Sequence, residues 1–306
     1  MGISSGKGPK VAVLMGGHSL EREVSLISGR ACSAALRGKD FEVLELDAGH
    51  DVVQRLSELR PDVVFNALHG RWGEDGSIQG VLEWLRIPYT HSGVMASALA
   101  MDKHRSKHIF SDFGLPTAQG FIIEKTNLIN AHPLQRPYVV KPINEGSSIG
   151  VYFVNPAEDP PLELSSDMPS ILMVEEYIPG RELTVTVMGK KALLVTDIIT
   201  PEWYDYDAKY KNGGSVHEVP AKIPEKIKEK CLEYALSAHE LIGCRGISRA
   251  DFRWDESLGL DGLILLEINT QPGMTPTSLV PEQAEICGVK FGDLCQWLVE
   301  DASCDR

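Results

Sequence analysis

Two apolar runs toward the C-terminal end, 247–254 and 263–269, carry charged and amide side chains at alternate positions: Arg249 and Asp251 in the first, Glu267 and Asn269 in the second. Side chains alternate across a strand with period two, so each pair shares one face of its strand. An antiparallel hairpin symmetric about Gly259 sets Asp251 opposite Glu267 and Arg249 opposite Asn269. Carboxylates directly across a ladder repel unless a cation lies between them. An all-oxygen set from Asp251, Glu267 and Asn269 suits Mg²⁺ bridging phosphates. On these residues alone the alternative is an ordinary hairpin with a solvated acidic face, although 264–266 is too apolar for a strand in open solvent.

The first third of the chain has a different rhythm. The continuous apolar run 10–15 stops at Gly16-Gly17, as a buried parallel strand does. Val24, Ile27, Ala31, Ala34 and Ala35 then recur at helical spacing until Gly38. Strand patterns at 41–46 and 63–68 and a short helix through Ile78, Val81, Leu82 and Leu85 complete a βαβ alternation. This predicts a small parallel sheet covered by helices. One long helix is expected over 94–113, stopped by Gly114 and Pro116. Strands are expected at 138–141, 151–154 and 171–177, with 155–170 as a surface connection. Beyond Glu182 the pattern is strand-rich (183–188, 193–199, 247–254, 263–269). A helix opened by Pro224 and closed by Gly243 intervenes, and a helical stretch over 281–299 ends the fold. The expected class is α/β with an α+β C-terminal part.

Composition narrows the partners. The 306 residues hold 43 Asp and Glu against 30 Lys and Arg, a formal net charge of −13. That field repels nucleic acid and anionic membrane, so an anionic ligand must be met by local cations and backbone amides. No apolar stretch approaches the ~20 residues of a membrane-spanning helix. Six cysteines stand without a Cys-x-x-Cys pair and read as reduced thiols of a cytosolic protein.

Three loops complete the chemistry-bearing set. Residues 141–150, KPINEGSSIG, place Lys141 and a Gly/Ser turn between two apolar strands, where backbone amides can close over an anion. Taken alone, such a loop is as easily a plain hairpin. Residues 203–211, WYDYDAKYK, read as an exposed loop acting as a lid or a partner surface. The opening turn, GGHSLERE from Gly16, lacks the Gly-x-Gly-x-x-Gly of a dinucleotide site.

In combination the chain closely resembles the D-alanine–D-alanine ligases of the ATP-grasp superfamily. The segments that carry the likeness are GGHSLEREVS from Gly16, ALHG at 67–70 with GEDG at 73–76, MDK at 101–103, EGSS at 145–148, YDYDAKY at 204–210 and EINTQPGM at 267–274. Six signatures in family order are specific where any one alone is not. The resemblance implies an ATP-grasp fold preceded by a small parallel-sheet domain, with units at 1–98, 99–179 and 180–306. It implies ATP-dependent joining of two D-alanines through an acyl phosphate, for peptidoglycan precursors.

The resemblance also assigns residues. Asp251, Glu267 and Asn269 would hold two Mg²⁺ or Mn²⁺ ions, Lys103 and Lys141 would grip phosphates, and Lys209 would reach the transferred group from the lid. Glu175, Tyr177, Ile178 and Glu182 sit where the family frames adenine and ribose. Glu21 would fix the ammonium of the first D-alanine, with Ser147 and Tyr210 closing that site and His69 nearby. Arg249 and the Gly273 amide would stabilise the tetrahedral oxyanion. Ser278 and the Leu279 amide would receive the carboxylate of the second D-alanine. Family analogy adds a cytoplasmic homodimer that takes D-alanine and ATP. Two rivals are a ligase with another acceptor, such as D-serine, and an ATP-grasp module that binds without turnover.

Overall fold

A computed structural model of the chain describes residues 8–128, 131–157, 164–200 and 216–304. The expected lid, with Lys209 and Tyr210, lies outside the described residues, as do 158–163 of the surface connection. The N-terminal part is a three-stranded parallel sheet of β1 (Lys10–Met15), β2 (Glu42–Asp47) and β3 (Val63–Asn66), with β1 in the centre. Both faces of β1 are covered, which is why its sequence is apolar throughout. Val11, Val13 and Met15 pack with Cys32 and Leu36 of α1 (Arg22–Arg37), whereas Ala12 and Leu14 pack with Leu46, Leu56, Leu82 and Tyr89. Helices α2 (Val52–Leu59) and α3 (Ser77–Leu85) complete this layer.

The helical pattern over 94–113 is broken into α4 (Val94–Met101) and α5 (Lys103–Asp112). Asp102 takes an extended conformation, φ −84° and ψ 93°, and its side chain accepts a hydrogen bond from the Arg105 amide at 3.0 Å. An N-capping aspartate thus starts a new helix inside an unbroken helical pattern. The 281–299 stretch likewise divides into Leu279–Ile286 and Phe291–Asp301, with Gly288 left-handed at φ +86° between them.

A four-stranded antiparallel sheet follows, ordered β4-β7-β5-β6, from β4 (Gly120–Glu124), β5 (Tyr138–Pro142), β6 (Tyr152–Val154) and β7 (Ile171–Glu176). The short edge strand β4 has no clear alternation and was not expected. The largest sheet is antiparallel, ordered β10-β9-β8-β11-β12, from β8 (Arg181–Met188), β9 (Lys191–Ile199), β10 (Val216–Glu218), β11 (Ile247–Trp254) and β12 (Leu263–Asn269). One face buries Leu183, Val185, Ala250, Phe252 and Leu265 against Ile227, Cys231, Ala235 and Ala238 of α6 (Glu225–Ile242). By the same alternation Thr184, Arg249 and Asp251 fall on the opposite face, and Glu267 joins them because an extra residue in β12, Leu266, resets the alternation between Leu265 and Glu267. Among the described residues, no helix is long and apolar enough to cross a membrane.

Candidate active site

The antiparallel pairing of β11 with β12 sets Arg249 opposite Asn269 and Asp251 opposite Glu267, the register expected from alternation. A bulge just beyond Asp251 shifts the pairing so that Phe252 meets Leu265, and 256–262 form a 3-10 turn rather than a tight hairpin. The bulge lies past the charged pairs and leaves them aligned. Arg249 grips Asp251 with a two-pronged contact, Nε to Oδ1 at 2.8 Å and Nη2 to Oδ2 at 2.7 Å. Thr184 from the next strand donates its hydroxyl to Asp251 Oδ1 at 2.6 Å. Glu267 meets Lys103 at 3.0 Å, and Lys103 also donates to the Glu145 carbonyl at 2.6 Å. The helix break at Asp102 is what puts Lys103 at the first position of α5, facing both partners.

Two clefts open on this face, and Lys103 and Glu267 line both. The first, of about 850 Å³, is walled by Lys141, Glu175, Tyr177, Ile178, Glu182, Asp251 and Arg253. Glu175 is 3% exposed, and its carboxylate contacts the ammonium groups of both Lys107 and Lys141. Burial alone would raise the Glu175 pKa, but the two lysines outweigh it and bring it to about 2. Burial works the other way on Lys107 and, only partly offset by Glu175, lowers it to about 8. Arg253 ties the rest of the wall together. It donates to the Ile178 carbonyl at 3.1 Å and the Tyr177 hydroxyl at 3.3 Å, and it pairs with Glu182 at 3.4 Å.

The second cleft, of about 910 Å³, is lined by Glu21, His69, Ser147, Arg249, Asn269, Gly273, Ser278 and Leu279. Ser19 donates to the His69 carbonyl at 2.6 Å and Ser25 to the Ala67 carbonyl at 2.7 Å, which stitches the start of α1 to the end of β3. Glu21, buried at 5% exposure, thereby reaches the 145–148 loop and accepts a hydrogen bond from Ser147. His69 is fixed between Glu74 at 3.1 Å and Ser28 at 3.1 Å. Burial lowers its pKa, but the hydrogen bond to Glu74 and the charges of Glu74 and Glu21 prevail, and the net shift is upward. Ser278 accepts from the Thr275 amide at 3.0 Å and directly precedes α7 (Leu279–Ile286), so the Leu279 amide opens that helix. An N-terminal helix amide favours an anionic group.

Sixteen of the eighteen residues singled out from sequence lie among the described residues, and all sixteen line one or both clefts. Four contributors escaped sequence reasoning: Lys107, Arg253, Gln271 and His217. Gln271 bridges Asn66, at 2.6 Å, and the Leu68 carbonyl, while its own amide donates to Asn269 at 2.8 Å, so Asn269 is anchored to the N-terminal sheet. His217 pairs with Glu282 at 2.7 Å on the wall of the second cleft. Gln271 lies inside a quoted signature and could have been found. Lys107 and His217 pair across 68 and 65 residues and carried no local signal.

Known proteins share this architecture. The family model described as D-ala D-ala ligase C-terminus matches residues 109–300, and the one described as D-ala D-ala ligase N-terminus matches 47–92. The D-alanine–D-alanine ligase of Ruegeria pomeroyi is 66% identical over 306 residues, all of both chains. That of Cereibacter sphaeroides is 65% identical over 298 residues, 97% of each chain. The crystal structure of the Bacillus anthracis ligase complexed with ATP superposes with a TM-score of 0.77 at 28% identity, covering 97% of each chain. A second crystal structure of that ligase gives 0.78 at 30% identity, covering 96% of this chain and 97% of the other. With near-complete coverage at these identities, the chain belongs to the D-alanine–D-alanine ligase family.

Proposed function

We propose that the chain joins two D-alanine molecules into D-alanyl-D-alanine at the expense of ATP, releasing ADP and phosphate, as a step in peptidoglycan precursor synthesis. The observation that carries this reading is the shared wall. Because Lys103 and Glu267 line both clefts, a phosphoryl group leaving a nucleotide in one can meet a carboxylate held in the other. Such transfer asks for positioning and charge neutralisation more than covalent help from the protein.

In this reading Lys103 and Lys141 grip phosphates, Tyr177 and Ile178 frame the adenine, and Glu182 accepts hydrogen bonds from the ribose. Glu175 acts in the same cleft by holding Lys141. Glu21, steadied by Ser147 and beside His69, takes the ammonium of the first D-alanine. A carboxylate oxygen of that D-alanine attacks the terminal phosphorus and ADP leaves. The amine of the second D-alanine, seated by Ser278 and the Leu279 amide, then attacks the acyl carbon. Arg249 and the Gly273 amide face the oxyanion that forms, the bond to phosphate breaks, and the proton lost by the amine nitrogen leaves with the phosphate. Lys209 and Tyr210 serve the same reaction from the lid. Asp251, Glu267 and Asn269 fit two Mg²⁺ or Mn²⁺ ions: the donors are all oxygen, and Arg249 and Lys103 now supply the positive charge those carboxylates call for. Bound there, the ions would neutralise phosphate charge.

The same reading divides the chain into units at 1–98, 99–179 and 180–306 and places a homodimer in the cytoplasm. The test is phosphate release from Mg-ATP with D-alanine, with L-alanine and with no amino acid. Release that depends on D-alanine is expected. Release indifferent to it would sink the proposal, and no release with any amine would leave a binding module instead.

A further inference from the structure

We propose that the outer face of α5 carries a second cation site, in which His104 and His108 together bind a divalent transition metal of the Zn²⁺, Ni²⁺ or Cu²⁺ class. The two histidines are four residues apart on one helix, the spacing that brings side chains together on one face. The same separation of ligands serves helical zinc sites. Their Nε2 atoms approach to 3.3 Å, with the rings nearly perpendicular at 86°. Two nitrogens bound tetrahedrally at about 2.0–2.1 Å from a metal are separated by about 3.3–3.4 Å, so the pair already has the spacing of two adjacent ligands. In the metal-free pair one ring donates its Nε2 hydrogen to the other. Binding requires that this ring carry its hydrogen on Nδ1, which frees both Nε2 lone pairs, and that the rings tilt so that both aim at one point beside the Nε2–Nε2 line.

The surroundings favour the neutral, accessible form. His108 is exposed and His104 half-buried. Burial and the neighbouring His108 hold His104 below the ordinary histidine pKa. The charges along the helix have partners of their own: Arg105 pairs with Asp102, the two acting on His104 in opposite directions, Lys107 turns inward to Glu175, and Lys103 to Glu267. The capped helix fixes both ligands in advance, so little ordering opposes binding. A second histidine pair, His18 and His50, is stacked at 24° between planes, so its in-plane lone pairs do not share a plane in which to converge. Imidazole ligands select transition ions over Mg²⁺, so this site and the oxygen-lined cleft would take different cations. Two protein ligands leave the remaining positions to water, which makes the ion exchangeable.

Titration of the full chain with Ni²⁺, by calorimetry and by the rise in melting temperature, tests the proposal against H104Q, H108Q and H18Q. Cu²⁺ paramagnetic resonance reports directly on two imidazole nitrogens. One equivalent is expected in the parent and in H18Q, undisturbed by excess Mg²⁺. A loss of at least tenfold in affinity is expected in H104Q and in H108Q. Parent-like binding by either of those two variants would overturn it, as would loss of binding in H18Q alone. His108 is solvent-exposed, so H108Q keeps the test open even where H104Q perturbs the helix.

Discussion

Asp251 and Glu267 oppose each other on adjacent antiparallel strands, and each already has a cation of its own, Arg249 for the first and Lys103 for the second. The pair is therefore charge-balanced without being closed off, since both carboxylates line the cleft walled by Lys141 and Glu175. Glu267→Gln keeps the size and removes the charge. D-alanine-dependent phosphate release should fall by about 10²–10³ or more, the scale of losing one preorganised electrostatic group at a reacting centre. The melting temperature should stay close to that of the parent. Unchanged turnover at saturating Mg²⁺ would take Glu267 out of the proposed metal site.

Under the proposed function, Lys107 would act on the nucleotide through Glu175. With two lysines on one carboxylate, the group carries a net positive charge and Lys141 is only half committed to Glu175. Lys107→Met removes one ammonium, and the remaining pair becomes neutral and tighter. A Lys141 drawn onto Glu175 is less available to a phosphate. The KM for ATP should rise about tenfold, or ~1.4 kcal/mol, near the low end of what a hydrogen bond to a charged group contributes, while the KM for D-alanine stays nearly constant. A rise confined to D-alanine would contradict this role.

How much of this could be read from the chain alone follows from the range over which each interaction acts. The β11–β12 register was legible because period-two alternation fixes which side chains share a face, and only one register aligns both polar pairs. The bulge after Asp251 left no mark, since it depends on how the neighbouring strand packs. The break at Asp102 was visible in principle as an aspartate followed by a helical turn, but the apolar periodicity of the flanking residues masked it. Lys107 sits in the polar run HRSKH, which reads as a solvated face until folding brings Glu175 beside it. His217 needed its partner Glu282 in the same way.

Gly70 leaves room for the Glu21 carboxylate, which the proposed function assigns to the first D-alanine. Its φ is +68°, and a Cβ built there would stand 2.4 Å from Glu21 Oε2. Gly70→Ala therefore meets two penalties, the left-handed backbone at roughly 1–2 kcal/mol and a clash relieved only by moving Glu21. A displaced Glu21 loses the Ser147 contact that orients it. The KM for D-alanine should increase while nucleotide binding, measured separately, is unaffected. Equal losses in both would point to general unfolding of the 67–76 loop rather than to Glu21.

His91 makes the fold sensitive to acid. It is 2% exposed, and neither ring nitrogen has a hydrogen-bond partner among the described residues. Burial, aided by the charges of His69 and Arg245, lowers its pKa to about 3. Burial likewise lowers His239 to about 4. The unfolded chain takes up a proton at each histidine near its ordinary value of about 6.5, and the folded chain does not until far lower pH. Their stability contribution is therefore complete above about pH 6.5 and is lost as pH falls from there toward 3. Glu175 adds a loss of the same sign only below its ordinary carboxylate range, whereas the raised His69 acts oppositely, its contribution fading as pH rises through its folded value. Between pH 6.5 and 4.5 the histidines dominate, at about 1.4 kcal/mol per pH unit for each proton. Asparagine tolerates the positive φ of +67° at this position and does not titrate. His91→Asn should remove one proton's worth of slope from unfolding free energies measured in urea at pH 6.5, 5.5 and 4.5. An unchanged slope would mean that His91 is protonated alike in both states and that the acid sensitivity lies elsewhere.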